Sequence, residues 1–192
     1  MTQEKKVPVY ILSGGKSSRF GKDKALNAFK GKPLILHVAQ SLDPVAKSIT
    51  VVADRADKYN HLGLPTICDR QPDQGPLGGL ETALLHAETG WILCASCDRL
   101  GIQTSWLFSL LQAPKKGAHV VIYRGQLWQP FPALYHTSFK ESIHFALRDG
   151  KRTLWKLLED IPVVVLKQPW DWDKSIDINN PSVLDYINTL KP

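Results

Sequence analysis

Apolar residues fall along this chain in two alternating rhythms. Short continuous apolar runs at 7–12, 49–53, 64–68 and 91–95 read as strands buried on both faces of a sheet. Between the first two, Leu34, Ile35, Val38 and Leu42 form a stripe at helical spacing, and Pro33 suits the first helical position. A second helix follows the loop 69–79 and reaches His86, and 105–112 reads as a helix capped by Ser or Thr. Further on, 120–123, 131–135 and 163–166 read as strands, and 138–148, 154–158 and 181–190 as helices. Strands alternating with helices through residue 112 predict an α/β fold: a doubly wound, mostly parallel sheet with helices on both faces, in one domain over 1–192. Ligands in such sheets bind at the carboxyl ends of strands. The loops starting at Ser13, Asp69 and Cys97 are therefore expected to line one crevice.

Composition narrows what that crevice serves. The 192 residues are 43% hydrophobic and 22% charged, ordinary globular usage, with enough chain for a substantial core. No apolar run reaches the roughly 18 residues a membrane span needs, and the N-terminus lacks a signal-peptide pattern, so a soluble cytoplasmic protein is expected. Cys68, Cys94 and Cys97 make no disulfide framework. Cys94 and Cys97 form a C-x-x-C in an apolar run with no partners at metal spacing, which predicts buried structural cysteines. The net charge of +6 favours anionic partners. Its Lys and Arg residues are dispersed rather than clustered, and no nucleic-acid motif appears, so a small phosphorylated ligand fits better than nucleic acid.

The first loop is the place for such a ligand. Residues 12–24 read Leu-Ser-Gly-Gly-Lys-Ser-Ser-Arg-Phe-Gly-Lys-Asp-Lys. This is not a Walker loop: five residues, not four, separate Gly15 from Gly21-Lys22, and Asp23 stands where Ser or Thr belongs. Nor is it a dinucleotide G-x-G-x-x-G, because Gly14 and Gly15 are adjacent. Adjacent glycines still let backbone N–H groups approach anionic oxygens. Arg19, Lys22 and Lys24 add three cations within six residues.

The order of residues says more than their composition. L-x-G-G-x-S-x-R-F-G-x-D-K-x-L, followed by Gly31-Lys32-Pro33-Leu34, resembles the signature of the molybdenum cofactor guanylyltransferases, the MobA family. The likeness continues in order through Asp69 and Gly75-Pro76-Leu77-Gly78-Gly79, which looks like that family's D…GPLAG segment. It runs on through Cys97-Asp98, Gln129-Pro130-Phe131-Pro132-Ala133-Leu134-Tyr135 and Asp177-Ile178-Asn179-Asn180-Pro181, covering nearly the whole chain. The resemblance implies a Rossmann-like sheet of the nucleotide-diphospho-sugar transferase type. It also implies Mg²⁺-dependent transfer of GMP from GTP to molybdopterin, with release of pyrophosphate. Further partners would be molybdoenzymes or their chaperones.

Roles follow from the resemblance. Leu12, Ser13, Gly14 and Gly15 would contact the nucleotide, with phosphates running toward Arg19. Lys24 and Arg19 would stabilise charge at the α-phosphorus. Asp69 would contact the nucleoside or form a turn before Gln71-Pro72, Asp54 is a weaker nucleoside candidate or a turn residue, and Gly75, Pro76, Leu77 and Gly78 complete the pocket. Asp98, a lone carboxylate ending an apolar strand, is the expected catalytic residue and Mg²⁺ ligand. Asp177 is the second metal candidate, standing where the family has Asn, in a segment where Asn180 before Pro181 also suits a helix cap. Gly14, where the cytidylyl-transferring branch carries Ala, favours guanine over cytosine. Arg99-Leu100-Gly101 departs from the family's small residue, Pro and aromatic. Arg99 there is either an added phosphate contact or a surface replacement. Trp106, Trp155, Trp170 and Trp172 are expected to pack rather than to stack on a pterin.

Overall fold

The computed structural model describes residues 6–14, 23–71, 73–88 and 90–189. In chain order these form β1 (Val7–Ser13), β2 (Ala28–Phe29), β3 (Lys32–Pro33), α1 (Leu34–Leu42), β4 (Ala46–Ala53), β5 (Thr66–Cys68), α2 (Gly75–His86), β6 (Trp91–Ser96) and β7 (Arg99–Leu100). Then follow α3 (Thr104–Gln112), β8 (Val120–Arg124), β9 (Trp128–His136), α4 (Lys140–Arg148), α5 (Leu154–Leu158), β10 (Val163–Lys167), β11 (Ile176–Asp177) and α6 (Pro181–Thr189).

Seven strands make one sheet in the order β10-β8-β9-β6-β1-β4-β5. All neighbours pair parallel except β9, which runs antiparallel to both β6 and β8. The expected α/β, mostly parallel sheet is therefore what forms. Side chains alternate along each strand and feed two separate cores. Val9, Ile11, Val51, Ala53, Leu93 and Ala95 pack under α1, α3 and α6. Tyr10, Leu12, Val52, Ile92 and Cys94 pack under α2, α4 and α5 on the other face. Both faces are covered, which is why the central strands read as unbroken apolar runs.

The helix starts correct two expectations. Pro33 lies just before α1 and pairs within the small β2–β3 ribbon instead of taking the first helical position. The expected Ser or Thr cap on α3 is absent: Gln103 precedes the helix and makes no side-chain cap bond. Asn180 does cap α6, its Oδ1 accepting from the Val183 N–H at 3.0 Å. No helix among the described residues is long and apolar enough to cross a membrane.

Candidate active site

Parallel register aligns the strand ends on one edge. Leu12 pairs with Ser96, Ser13 with Ala53, and Ala53 with Cys68. The residues just past these pairs are Gly14, Asp54, Asp69 and the Cys97-Asp98 dipeptide, so the three loops expected together, and Asp54 with them, leave one edge of the sheet. Gly15 and Arg19 lie outside the described residues, as does the rest of 15–22.

Lys24 and Asp98 meet at that edge. Lys24 Nζ lies 2.6 Å from Asp98 Oδ2, with the two side chains 17% and 23% exposed. Each is set by backbone structure. Asp23 accepts from the Ala25 N–H at 3.0 Å and caps the short turn Lys24–Leu26. On the other side, the Cys97 N–H donates to the Leu12 carbonyl at 3.2 Å, and the Asp98 carbonyl accepts from the Ile178 N–H at 2.9 Å. An ammonium and a carboxylate so placed can share anionic oxygens and a divalent cation.

Asp69 forms the turn weighed for it. Its Oδ1 accepts from the Gln71 N–H at 3.1 Å and from the Thr82 hydroxyl at 2.9 Å, closing a turn that α2 holds from behind. Its Oδ2 faces Gly14, where an added Cβ would lie 3.9 Å away in ordinary contact. Among the described residues, therefore, nothing demands glycine at 14. Gly78 is different, because a Cβ there would come within 2.8 Å of Gln74 Cβ and 2.9 Å of the Gln71 carbonyl. Leu77 is buried in the core, while Gly75 and Pro76 are exposed at the start of α2.

Other side chains sit differently from what a direct contact role would need. The Ser13 side chain turns inward, its hydroxyl 2.7 Å from that of Tyr59, and the Leu12 side chain lies over Gly79, where an added Cβ would sit 3.6 Å from it. Only their backbone groups are left for a ligand. Asp54, with a side chain 67% exposed, is held by Lys58 Nζ at 2.7 Å, and that hydrogen bond keeps its carboxyl below the usual carboxylate range. Cys94 and Cys97 belong to opposite faces of the sheet. Burial, with the charge of Asp98 second, pushes the Cys97 thiol up to about 12, so it stays protonated and inert.

Arg99 is no surface replacement, and its donors are engaged within the protein. It is 8% exposed, its guanidinium lies over the Trp172 ring at 4.6 Å, and it donates to Ser175 Oγ at 3.0 Å and Asp177 Oδ2 at 2.5 Å. That pairing accounts for the Asp177 carboxylate. Strands β7 and β11 pair Arg99 with Asp177 in register, so both side chains leave the same face of the ribbon. Gly101 completes the junction with φ +78°, where a Cβ would strike the Lys174 carbonyl at 2.8 Å. Trp106 and Trp172 are buried in the packing, as expected, whereas Trp155 and Trp170 are 47% and 87% exposed.

Asp98 is the expected metal ligand that the structure brings to this edge, and among the described residues no group of three or more His, Cys, Asp or Glu forms a cage. A hard oxygen donor of this kind suits Mg²⁺, which is commonly held by one or two carboxylates together with substrate phosphates. Sequence reasoning missed Tyr59, Lys58 and Thr82, which orient the site without facing it. They sit in polar stretches or mid-helix, where no motif marks them.

Comparison with known proteins adds to this geometry. A family profile for the MobA-like NTP transferase domain matches residues 9–165. A probable molybdenum cofactor guanylyltransferase of Deinococcus radiodurans is 36% identical over 75% of each chain. A molybdenum cofactor guanylyltransferase of Vibrio parahaemolyticus is 33% identical over the full length of both. Among solved structures, molybdopterin-guanine dinucleotide biosynthesis protein A from Archaeoglobus fulgidus superposes with a TM-score of 0.80 at 23% identity, covering 95% of this chain and 97% of that one. A CMP:2-keto-3-deoxy-manno-octonic acid synthetase complexed with CTP gives 0.73 at 14% identity over 95% and 97%. At those identities the two structures speak to the fold alone.

Proposed function

Because this chain belongs to the MobA-like NTP transferase family, we propose that it is the nucleotidyltransferase that moves GMP from GTP onto the terminal phosphate of molybdopterin. An acceptor phosphate oxygen attacks the α-phosphorus, a new P–O bond forms, and the bond to pyrophosphate breaks. No covalent protein intermediate is needed. What carries the reading is the Lys24–Asp98 pair at 2.6 Å, set where β1 and β6 end beside Gly14 and Asp69.

The chain's own residues supply position and charge. Gly14 and the backbone of Leu12 and Ser13 line the nucleotide side, and Asp69 Oδ2 offers an acceptor there. Lys24 stabilises negative charge at the α-phosphate, as preorganised cations do in phosphoryl transfer. Asp98 would hold Mg²⁺, whose chemistry is to polarise phosphate oxygens and offset their charge. Asp177 is not assigned to the metal, since Arg99 already engages its carboxylate. Molybdoenzymes or their chaperones would receive the product.

Gly14 supports guanine, and cytidylyl transfer to the same acceptor is the second reading. The test offers GTP, CTP and ATP separately with molybdopterin and Mg²⁺, following pyrophosphate and the mass of the product. GTP is expected to turn over alone or best, and turnover with CTP only would sink the guanylyl reading. Asp98→Ala should lose on the order of 10²-fold or more in kcat. Unchanged turnover in that variant would remove Asp98 from the chemistry.

A further inference from the structure

The segment between β4 and β5 carries Tyr59, 0% exposed and 36 positions after Asp23. Its backbone N–H is fixed on Thr66 Oγ1 at 3.2 Å, which ties it to the first residue of β5. Its hydroxyl lies 2.8 Å from Asp23 Oδ2 and 2.7 Å from Ser13 Oγ. A phenol has one proton. Donated to Asp23, it leaves the Tyr59 oxygen to accept from the Ser13 hydroxyl, so the direction of the whole relay is set. Burial raises the Tyr59 hydroxyl far above the ordinary tyrosine range, and the proton stays in place. Lys58, the preceding residue, adds its Nζ to the same Asp23 oxygen at 2.9 Å.

Ser13 and Asp23 are the two ends of the Gly-rich segment, one the last residue of β1, the other the residue before Lys24. One hydroxyl therefore joins both ends to a third part of the chain. We propose that Tyr59 is a positioning residue that staples the ends of the nucleotide loop together and so fixes where Lys24 begins opposite Asp98. The proposal rests on the reading that this loop binds the nucleotide. Asp23 transmits the effect: Oδ2 is held by Tyr59 and Lys58, while Oδ1 caps the turn that contains Lys24. Tyr59 acts from inside the protein, through Asp23 and Ser13.

Tyr59→Phe keeps the ring and its packing and removes the hydroxyl alone. Ser13→Ala removes one arm, and Lys58→Met removes the second hold on Asp23 while leaving the phenol. For each variant the thermal midpoint, the Kd for a fluorescent GTP analogue, and kcat with separate KM values for GTP and molybdopterin are measured. Loss of a hydrogen bond to a charged acceptor predicts that Tyr59→Phe weakens GTP binding or kcat/KM for GTP by about tenfold. The KM for molybdopterin should hold, with smaller losses in the other two variants. Wild-type nucleotide affinity and kcat in Tyr59→Phe would overturn the proposal. So would a uniform worsening of every constant that tracks the thermal midpoint, since that is loss of fold. Should Tyr59→Phe not fold, Ser13→Ala and Lys58→Met decide: both at wild-type values for GTP also overturn it. A wild type that binds the analogue but transfers no GMP would fell the transferase reading and leave the binding comparison to judge the staple.

Discussion

Arg99 and Asp177 show how a single residue's surroundings decide its role. A guanidinium only 9% exposed needs a counter-charge and filled donors, and it has both in Asp177 and Ser175, with the Trp172 face beneath it. Arg99→Met should cost about 2 kcal/mol of stability, below the usual value for a broken buried pair because Asp177 is 39% exposed. Asp177→Asn leaves the guanidinium half-served and should also destabilise. The double variant should lose less than the sum of the two, as coupled partners do. Denaturant titrations of all four proteins check this, and strict additivity would mean the pair contributes nothing. Lys24, Asp69 and Asp98 were legible in the sequence because each ends a strand or loop in a recognisable order. Ser13 was half legible: it shares the face of Val9 and Ile11 by alternation, which already turns its side chain inward. Arg99 was not, since its partners lie 76 and 78 positions away.

Elements were readable where their period was long enough to count. The stripe of α1 and the runs of β1, β4 and β6 needed only a residue or a few of adjustment at their ends. The β7–β11 ribbon, two residues on each side, is too short to carry a period, yet it joins the Asp98 loop to the C-terminal segment. The single turn Thr137–Phe139 that leads into α4 is capped by another local device. Ser138 Oγ bridges His119 Nδ1 at 2.7 Å and His136 Nδ1 at 2.8 Å, and the Ser138 N–H donates to His136 Nδ1 at 3.3 Å. As an acceptor, His136 must be neutral. Burial, then the nearby His119 charge, lowers its pKa from the ordinary value. The unfolded chain therefore binds the proton first as pH falls. The stability this group contributes is complete above the ordinary histidine value of about 6.5 and is lost below it. Denaturation midpoints between pH 7.5 and 5 should fall more for the wild type than for His136→Gln. Parallel pH profiles would remove the device.

The whole molecule follows from a sheet covered on both sides, and that much was written in the alternation of strand and helix. What alternation did not disclose is that β9 runs antiparallel, because an inward-outward pattern is the same in either direction. The two cores differ in character. One holds Tyr10, Tyr135 and Phe139 among its leucines, whereas the other gathers two indoles and a phenol where α3, β8 and the C-terminal segment converge. There the Trp106 and Trp172 rings stack with centroids 4.8 Å apart at 22°, and Tyr123 meets Trp172 edge-on at 5.5 Å. Two indoles held that close and nearly parallel share their electronic excitation. The protein should accordingly carry a built-in optical signal, a paired band of opposite signs in circular dichroism, that Trp172→Phe abolishes. Arg99 rests on the same indole, one residue from Asp98. The band would therefore report in light whether the C-terminal segment is seated against the crevice, with no label attached.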